Sequence, residues 1–292
     1  MMTRITVLAT GPQALIEDAG RPGLAAMGVG SSGAADRASF ALANRLVGNP
    51  EGAAVVEALL GGLALRADHD LDVAVTGASV SVNIDAGDGP VPMGLASRHR
   101  LRAGEVLSLG YAEAGLRAYL AVRGGLDVAA VLGSRSTDTL SGIGPAPLRA
   151  GDVLAVGEPS LPTPIADQAP VAAITGDEPT LRLSPGPRPD WLVDVGRLVG
   201  AGWTVTDDVD RVGIRLRPHD GPGVELVDPT RQLPSEPTVR GAVQIPPDGA
   251  PVLFGADHPV TGGYPVVAVL SDAASDRAAQ LRPGQRLRFT WA

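Results

Sequence analysis

The chain has 292 residues, with 24 basic against 32 acidic residues for a formal charge of −8, and it contains no cysteine. Every basic residue is arginine, which excludes a Schiff-base lysine, a pyridoxal attachment, a Walker lysine, a thiol nucleophile, a disulfide and a lysine to carry biotin; a GC-rich genome would give the same arginine bias. The acidic balance argues against nucleic acid and acidic membranes as partners, no apolar run reaches the ~18 residues of a membrane helix, and the amino terminus lacks a signal pattern, so the cytoplasm is the expected location.

The first predicted element is a strand over 4–9. Further on, Gly28-x-Gly30-x-x-Gly33 matches the dinucleotide-binding string, but a Rossmann turn must leave a strand directly. Residues 11–27 are broken by Gly11, Pro12, Gly20, Pro22 and Gly23, so that reading fails on context. What remains is a glycine- and serine-rich turn whose N–H groups could hold a carboxylate or phosphate, or which simply packs. Asp36 reads as the N-cap of a helix over 37–47, with Ala38, Ala41, Leu42 and Leu46 at helical spacing and Gly48 ending the run. Ser32, Asn44, Asn49 and Glu57 are the polar side chains this unit could turn towards a cleft.

Short apolar runs bounded by Gly, Pro or Asp then predict strands at 53–60, 71–76, 79–84, 106–109, 117–122, 181–183, 213–216, 224–227, 242–245, 252–254, 265–270 and 286–291. Two further helices are predicted, at 191–198 and 272–280. That balance specifies a mainly β protein, because βαβ alternation needs many more helices. A phrase recurs three times: LRAGEVLSLG at 101–110, LRAGDVLAVG at 148–157 and LRPGQRLRFT at 281–290. Each reads as a turn glycine followed by an alternating strand. The recurrence predicts two related β-barrel domains, 1–157 and 180–292, joined by a proline-rich linker over 158–179.

The blocks IEDAGRPG (16–23), SSGAADRASFALANRLVGNP (31–50), YLAVRGGLDVAAVLGSRST (119–137), LRAGDVL (148–154), DRVGIRL (210–216), GAVQIPPDGAPV (241–252), TGGYP (261–265) and LRPG (281–284) follow one another across nearly the whole chain. In this order they resemble the family of 5-oxoprolinase C subunits, also known as allophanate hydrolase subunit 2 or the biotin-dependent carboxyltransferase family. The resemblance implies two cyclophilin-like β-barrel domains with a few short helices. It also implies partners: a homologous B subunit and a lactam-utilisation A subunit, which together open the lactam of 5-oxoproline to glutamate with ATP. A related carboxyltransferase domain moves a carboxyl group from biotin, held on a separate carrier, to urea, and a non-catalytic regulatory partner of a B-subunit homologue is the remaining alternative. The chain departs from the family pattern near Ala146, at Asp210 and at Pro259-Val260, which bears on substrate and activity.

Lactam opening needs an anion site, a base and a cation for the substrate carboxylate. Arg21, Arg123 and Arg135 lie within family blocks beside glycine or serine, with Arg211 next, and each is either an anion ligand or an ordinary salt-bridge partner. Asp18, Asp36, Glu57, Asp257 and His258 are the candidate bases, Asp36 doubling as the helix cap. Asp257-His258 stands just before Thr261-Gly262-Gly263-Tyr264, bringing a carboxylate, an imidazole and a phenol into one loop, either as a catalytic group or as a structural turn. Ser134, Ser136 and Thr137 could donate to a phosphate or form a hydroxyl-capped turn, and Gln244 lies in a family block. His69, His99 and His219 lack ligand spacing, so no metal site is expected. The expected cleft is lined by 18–36 and 257–264.

Overall fold

A computed structural model describes residues 3–219 and 221–292. The chain forms two compact units, and the boundary is not a single point in sequence. One unit comprises Met1–Arg21, Asp36–Asp138 and Gly142–Thr175; the other comprises Pro22–Ala35, Thr139–Ser141 and Gly176–Ala292.

The first unit packs two sheets around one core. A six-stranded sheet runs in the order Val153–Ala155, Arg4–Thr10, Leu63–Ala67, Val106–Leu109, Val82–Asp85, Pro90–Met93, and a five-stranded sheet in the order Gln13–Glu17, Val55–Leu59, Ala114–Val122, Leu71–Ser79, Arg98–Leu101. Alternate residues of both sheets, among them Ile5, Val7, Val56, Leu65, Val75, Leu107 and Leu120, are almost wholly buried in it. The other face of the second sheet is covered by helix α1 (Arg37–Val47), which buries Phe40, Ala43, Leu46 and Val47. The stretch 158–175 lies along this unit, with Ser97 bridged to Gln168 and Arg98 N donating to Asp167 O at 2.6 Å.

In the second unit a barrel closes through Thr180–Pro185, Val266–Leu270, Ala242–Gln244, Val252–Phe254, Gly213–Pro218, Gly202–Val209 and Arg286–Trp291. Six contacts are antiparallel, and the seam between Thr180–Pro185 and Arg286–Trp291 is parallel. Trp203, Leu181, Leu183, Leu216, Val243 and Leu287 fill its interior. The mainly β class with few helices is therefore the one expected.

Local differences have local causes. The helix expected over 191–198 is split into a 3-10 turn at Pro189–Trp191 and α2 at Gly196–Gly200, because Leu192 bridges Leu226 and Val193 N donates to Glu225 O at 2.9 Å, which draws the intervening residues into extended form. The strand expected at 224–227 is reduced to that bridge. The third helix, α3, spans Asp272–Ala278 with Ser271 as its N-cap. A strand forms at Gln13–Glu17, where glycine and proline at the flanks masked a largely buried run.

The recurring phrase is one reusable turn. Gly104, Gly151 and Gly284 all have positive φ, of 88°, 96° and 81°. In each copy the next side chain accepts from the arginine N–H three residues back: Glu105 from Arg102 at 2.8 Å, Asp152 from Arg149 at 2.8 Å and Gln285 from Arg282 at 3.2 Å. Each glycine N–H then donates across to a neighbouring strand, at Ala67, Val7 or Val205. Two copies lie in the same sheet of the first unit and one in the barrel.

Candidate functional site

In the second unit the carboxylate of Asp257 gathers a dense set of buried polar contacts. Asp257 is 1% exposed on the loop after Val252–Phe254. Arg211 is delivered by a turn in which Asp210 Oδ1 accepts from Val212 N at 2.8 Å and Gly213 N at 2.9 Å. Its fork meets the carboxylate in two places, Nε to Oδ2 at 2.9 Å and Nη2 to Oδ1 at 3.0 Å. Ser32 Oγ donates to Oδ1 at 2.7 Å, and Thr139 donates to Oδ2 from its N–H at 2.9 Å and its hydroxyl at 2.7 Å. Arg211 Nη2 also reaches Gly33 O at 2.6 Å. Burial pushes the Asp257 carboxyl up, but the charge and hydrogen bonds of Arg211, joined by Thr139 and Ser32, outweigh it and hold the group below the ordinary carboxylate range. A carboxylate held at both oxygens and resistant to protonation serves as a clasp for three chain segments. Of the two expectations for Asp257, a base or a structural turn, this geometry is that of the structural one.

The neighbouring groups present more chemistry. His258 is 8% exposed and stacks on Phe254 with ring centroids 5.9 Å apart. Its Nδ1 lies 2.9 Å from Pro259 O, a contact in which Nδ1 carries the hydrogen. Thr238 holds the same corner, donating its hydroxyl to Pro259 O and its N–H to Val260 O at 3.0 Å, so two of the positions that depart from the family pattern sit in a tied turn. Gln244 Nε2 donates to Tyr264 O at 3.0 Å. Thr261 pairs with Pro237 in a two-residue ribbon, and the Tyr264 ring is half-exposed. Arg188 grips Glu236 on that ribbon and lowers its carboxyl below the usual range.

In the first unit the predicted residues are drawn into structural ties. Asp18 accepts from Ser134 Oγ and Ser136 Oγ at 2.6 Å each, Arg135 N at 2.6 Å and Gly20 N at 2.8 Å. Arg21, buried, donates to Ser136 O, while the Arg135 guanidinium turns outward to Asp127 at 3.3 Å. Asn49 donates to Asn44 Oδ1 at 3.0 Å and Val122 O at 2.8 Å and accepts from Gly124 N at 2.7 Å; Asn44 in turn donates to Ala53 O at 2.8 Å. Arg123 donates to Val47 O at 2.8 Å and Leu161 O at 2.7 Å, satisfying the carboxyl end of α1. These contacts engage Asp18, expected as a base, and Asn44, Asn49, Arg123 and Ser136, expected as substrate or anion ligands, in bonds within the unit.

Asp36 caps α1, accepting from Ser39 N at 3.0 Å and Ser39 Oγ at 2.7 Å. Its carboxylate thus satisfies one of the free N–H groups at the helix start. Glu57 is buried in an ion pair with Arg117 at 3.4 Å. Directly opposite Glu57 in register stands Tyr119, whose hydroxyl accepts from Asp36 N at 2.7 Å. Burial, then the charges of Glu57 and Asp36, push the Tyr119 phenol well above its ordinary value, so it stays neutral. Sequence reasoning missed Arg117, Tyr119, Thr139 and Thr238. The first two carried a signal, since 117 and 119 alternate on one strand face; the other two carried none.

The family model for the carboxyltransferase domain, subdomain A and B, matches residues 27–291. The chain belongs to this carboxyltransferase-domain family. Among its relatives is the 5-oxoprolinase C subunit of Haemophilus influenzae, 32% identical over 98% of this chain and 90% of the relative. The solved structure of Kluyveromyces lactis urea amidolyase superposes with a TM-score of 0.89 at 29% identity, covering 99% of this chain and 18% of that one. Another solved relative, TTHA0988, gives a TM-score of 0.87 at 33% identity over 99% of this chain, which spans little more than half (56%) of the relative. Family members of this kind therefore occur both as chains of this length and as parts of longer ones.

Proposed function

We propose that this chain is the C subunit of a cytoplasmic ATP-dependent 5-oxoprolinase, which opens the lactam of 5-oxoproline to glutamate together with a homologous B subunit and a lactam-utilisation A subunit. The observation that carries this reading is the end-to-end match to a 5-oxoprolinase C subunit, over 98% of this chain and 90% of that relative. The geometry supports a division of labour. Asp36 is engaged as the cap of α1, and in this reading nucleotide binding falls to a partner protein. Asp18, Glu57 and Asp257 are engaged in internal bonds, and this reading gives proton transfer and substrate contact in the second unit to His258 and, shortly after it in sequence, Thr261 and Tyr264. Among the described residues no helix is long and apolar enough to cross a membrane.

The test is to mix the full chain with its two partner proteins, ATP and 5-oxoproline, and to measure glutamate. Release only when all three proteins are present is expected. Absence of release with the cognate partners counts against the reading, and equal release without this chain makes it a regulatory partner instead. The likeness to urea amidolyase favours one second reading, carboxyl transfer from biotin. With no lysine among these 292 residues, the biotin would be carried outside this sequence. Carboxyl transfer that depends on such a carrier, without ATP-driven glutamate release, selects that alternative.

A further inference from the structure

We propose that the first unit carries a binding cleft for a compact monocarboxylate with an apolar body. The choice of 5-oxoproline as the specific ligand rests on the oxoprolinase reading, whereas the cleft and its ligand class rest on the following geometry. A cleft of about 280 Å³ lies beside α1, bounded by Ala38, Leu42 and Arg45 of the helix, by Gly77 and Leu95, and by Val171. Gly77 in its lining has φ 92°, and the register between Ala114–Val122 and Leu71–Ser79 slips beside it. A side chain at Gly77 would run into Arg117 O and the Tyr119 ring, so the glycine is what lets the neighbouring strand approach this closely.

The roof is a strap pinned at both ends. Ala169 N donates to Ala96 O at 2.9 Å on one side, and Ser79 Oγ donates to Ile174 O at 2.9 Å on the other. Val171 hangs between these anchors, half-exposed.

The lining selects the ligand. Ser39 and Thr76 also face the cleft, but their hydroxyls donate to Asp36 at 2.7 Å and to Ser39 O at 2.7 Å. Among the described residues of the lining, Arg45 is the one that carries a charge. Its Nη1 contacts Glu51 at 3.0 Å with both side chains at least half exposed, a solvent-screened pair that a ligand carboxylate can displace or share. The guanidinium fork suits a carboxylate held in two places. A volume just under the roughly 300–1,000 Å³ of drug-sized ligand sites, with few free polar groups, excludes a nucleotide and suits a small ring bearing one acid.

The full chain, labelled with 15N, is titrated with 5-oxoproline and, separately, with pyrrolidin-2-one, which has the same ring and no carboxylate. Saturable shifts at the amides of Ala38, Gly77 and Val171 are expected with the acid. Binding of pyrrolidin-2-one to the wild type, and of the acid to Arg45→Gln, is expected to be weaker by about tenfold or more, as for the loss of a charge-assisted hydrogen bond. Ala38→Leu keeps high helix propensity while filling the cleft, so it should abolish binding with the melting temperature unchanged. Shifts confined to other residues, no saturable shift, or wild-type affinity in Ala38→Leu overturns the proposal. The two readings fail separately: wild-type affinity for the acid in Ala38→Leu removes the cleft alone, and saturable binding at the cleft without glutamate release from the three-protein complex removes the oxoprolinase reading alone.

Discussion

Asp257 and Arg211 illustrate how a residue chosen for chemistry acts through electrostatics. Both are nearly inaccessible, and their two-point contact is completed by Ser32 and Thr139. Removing one member strands the other charge in a low-dielectric site, which costs about 3–5 kcal/mol. Asp257→Ala should therefore lower the urea midpoint far more than a surface Asp→Ala change such as Asp88→Ala; a midpoint within error of wild type would show that the pair is not what fixes these segments. The pH dependence has a definite sign. The folded-state carboxyl lies below its ordinary 3.8, so its stabilisation is complete above about pH 4 and drains away as the pH falls through the folded value. Asp257→Asn should flatten that acid limb of the stability curve, and parallel limbs in the two proteins would count against the assignment.

At the scale of elements, α1 is the best-determined piece because every part of it is specified locally. Asp36 caps the start, the apolar spacing faces the sheet, and Gly48 closes the end at φ 70° with its N–H donating to Asn44 O and Arg45 O. A methyl group on Gly48 would meet Arg123 Nη1 at 2.6 Å, Pro162 O at 2.7 Å and Pro164 Cδ at 2.8 Å. Gly48→Ala thus combines left-handed strain with a clash against the cap, and should cost about 2 kcal/mol or more, a fall in melting temperature of roughly 4–8 °C. Gly89→Ala, at φ 108° with open space around it, supplies the control in which strain acts alone. Equal losses in the two variants would refute a special role for the cap. The helix and the three repeated turns were legible in the sequence because capping residues and turn glycines act over three or four positions. The site was not. Ser32 meets a carboxylate 225 positions away and Asp18 a hydroxyl 118 positions away, and residue type alone does not distinguish an arginine waiting for a substrate from one capping a helix.

At the scale of the whole molecule, the chain leaves the first unit and returns to it twice before settling into the second. Segments 22–35 and 139–141 belong to the barrel unit although they lie far from it in sequence. They supply Ser32 and Thr139 to Asp257, Gly33 O to Arg211, Ala35 O to Arg240 at 2.7 Å, and Ala35 to a small apolar contact with Ala256 and Ala279. A fragment beginning at Gly176 retains every barrel strand and loses all of these bonds. Hydrogen bonds to charged groups contribute about 1.5–3 kcal/mol each, so losing several of them removes a large part of the roughly 5–15 kcal/mol typical of a whole domain. The fragment 176–292 expressed alone should give a poorly dispersed 1H–15N spectrum and no sharp thermal transition. Adding residues 22–35 and 139–141 through short flexible linkers should restore both. A fragment that melts cooperatively at the temperature of the full chain would mean that the barrel strands suffice, and that the clasp orders the segments without stabilising the barrel.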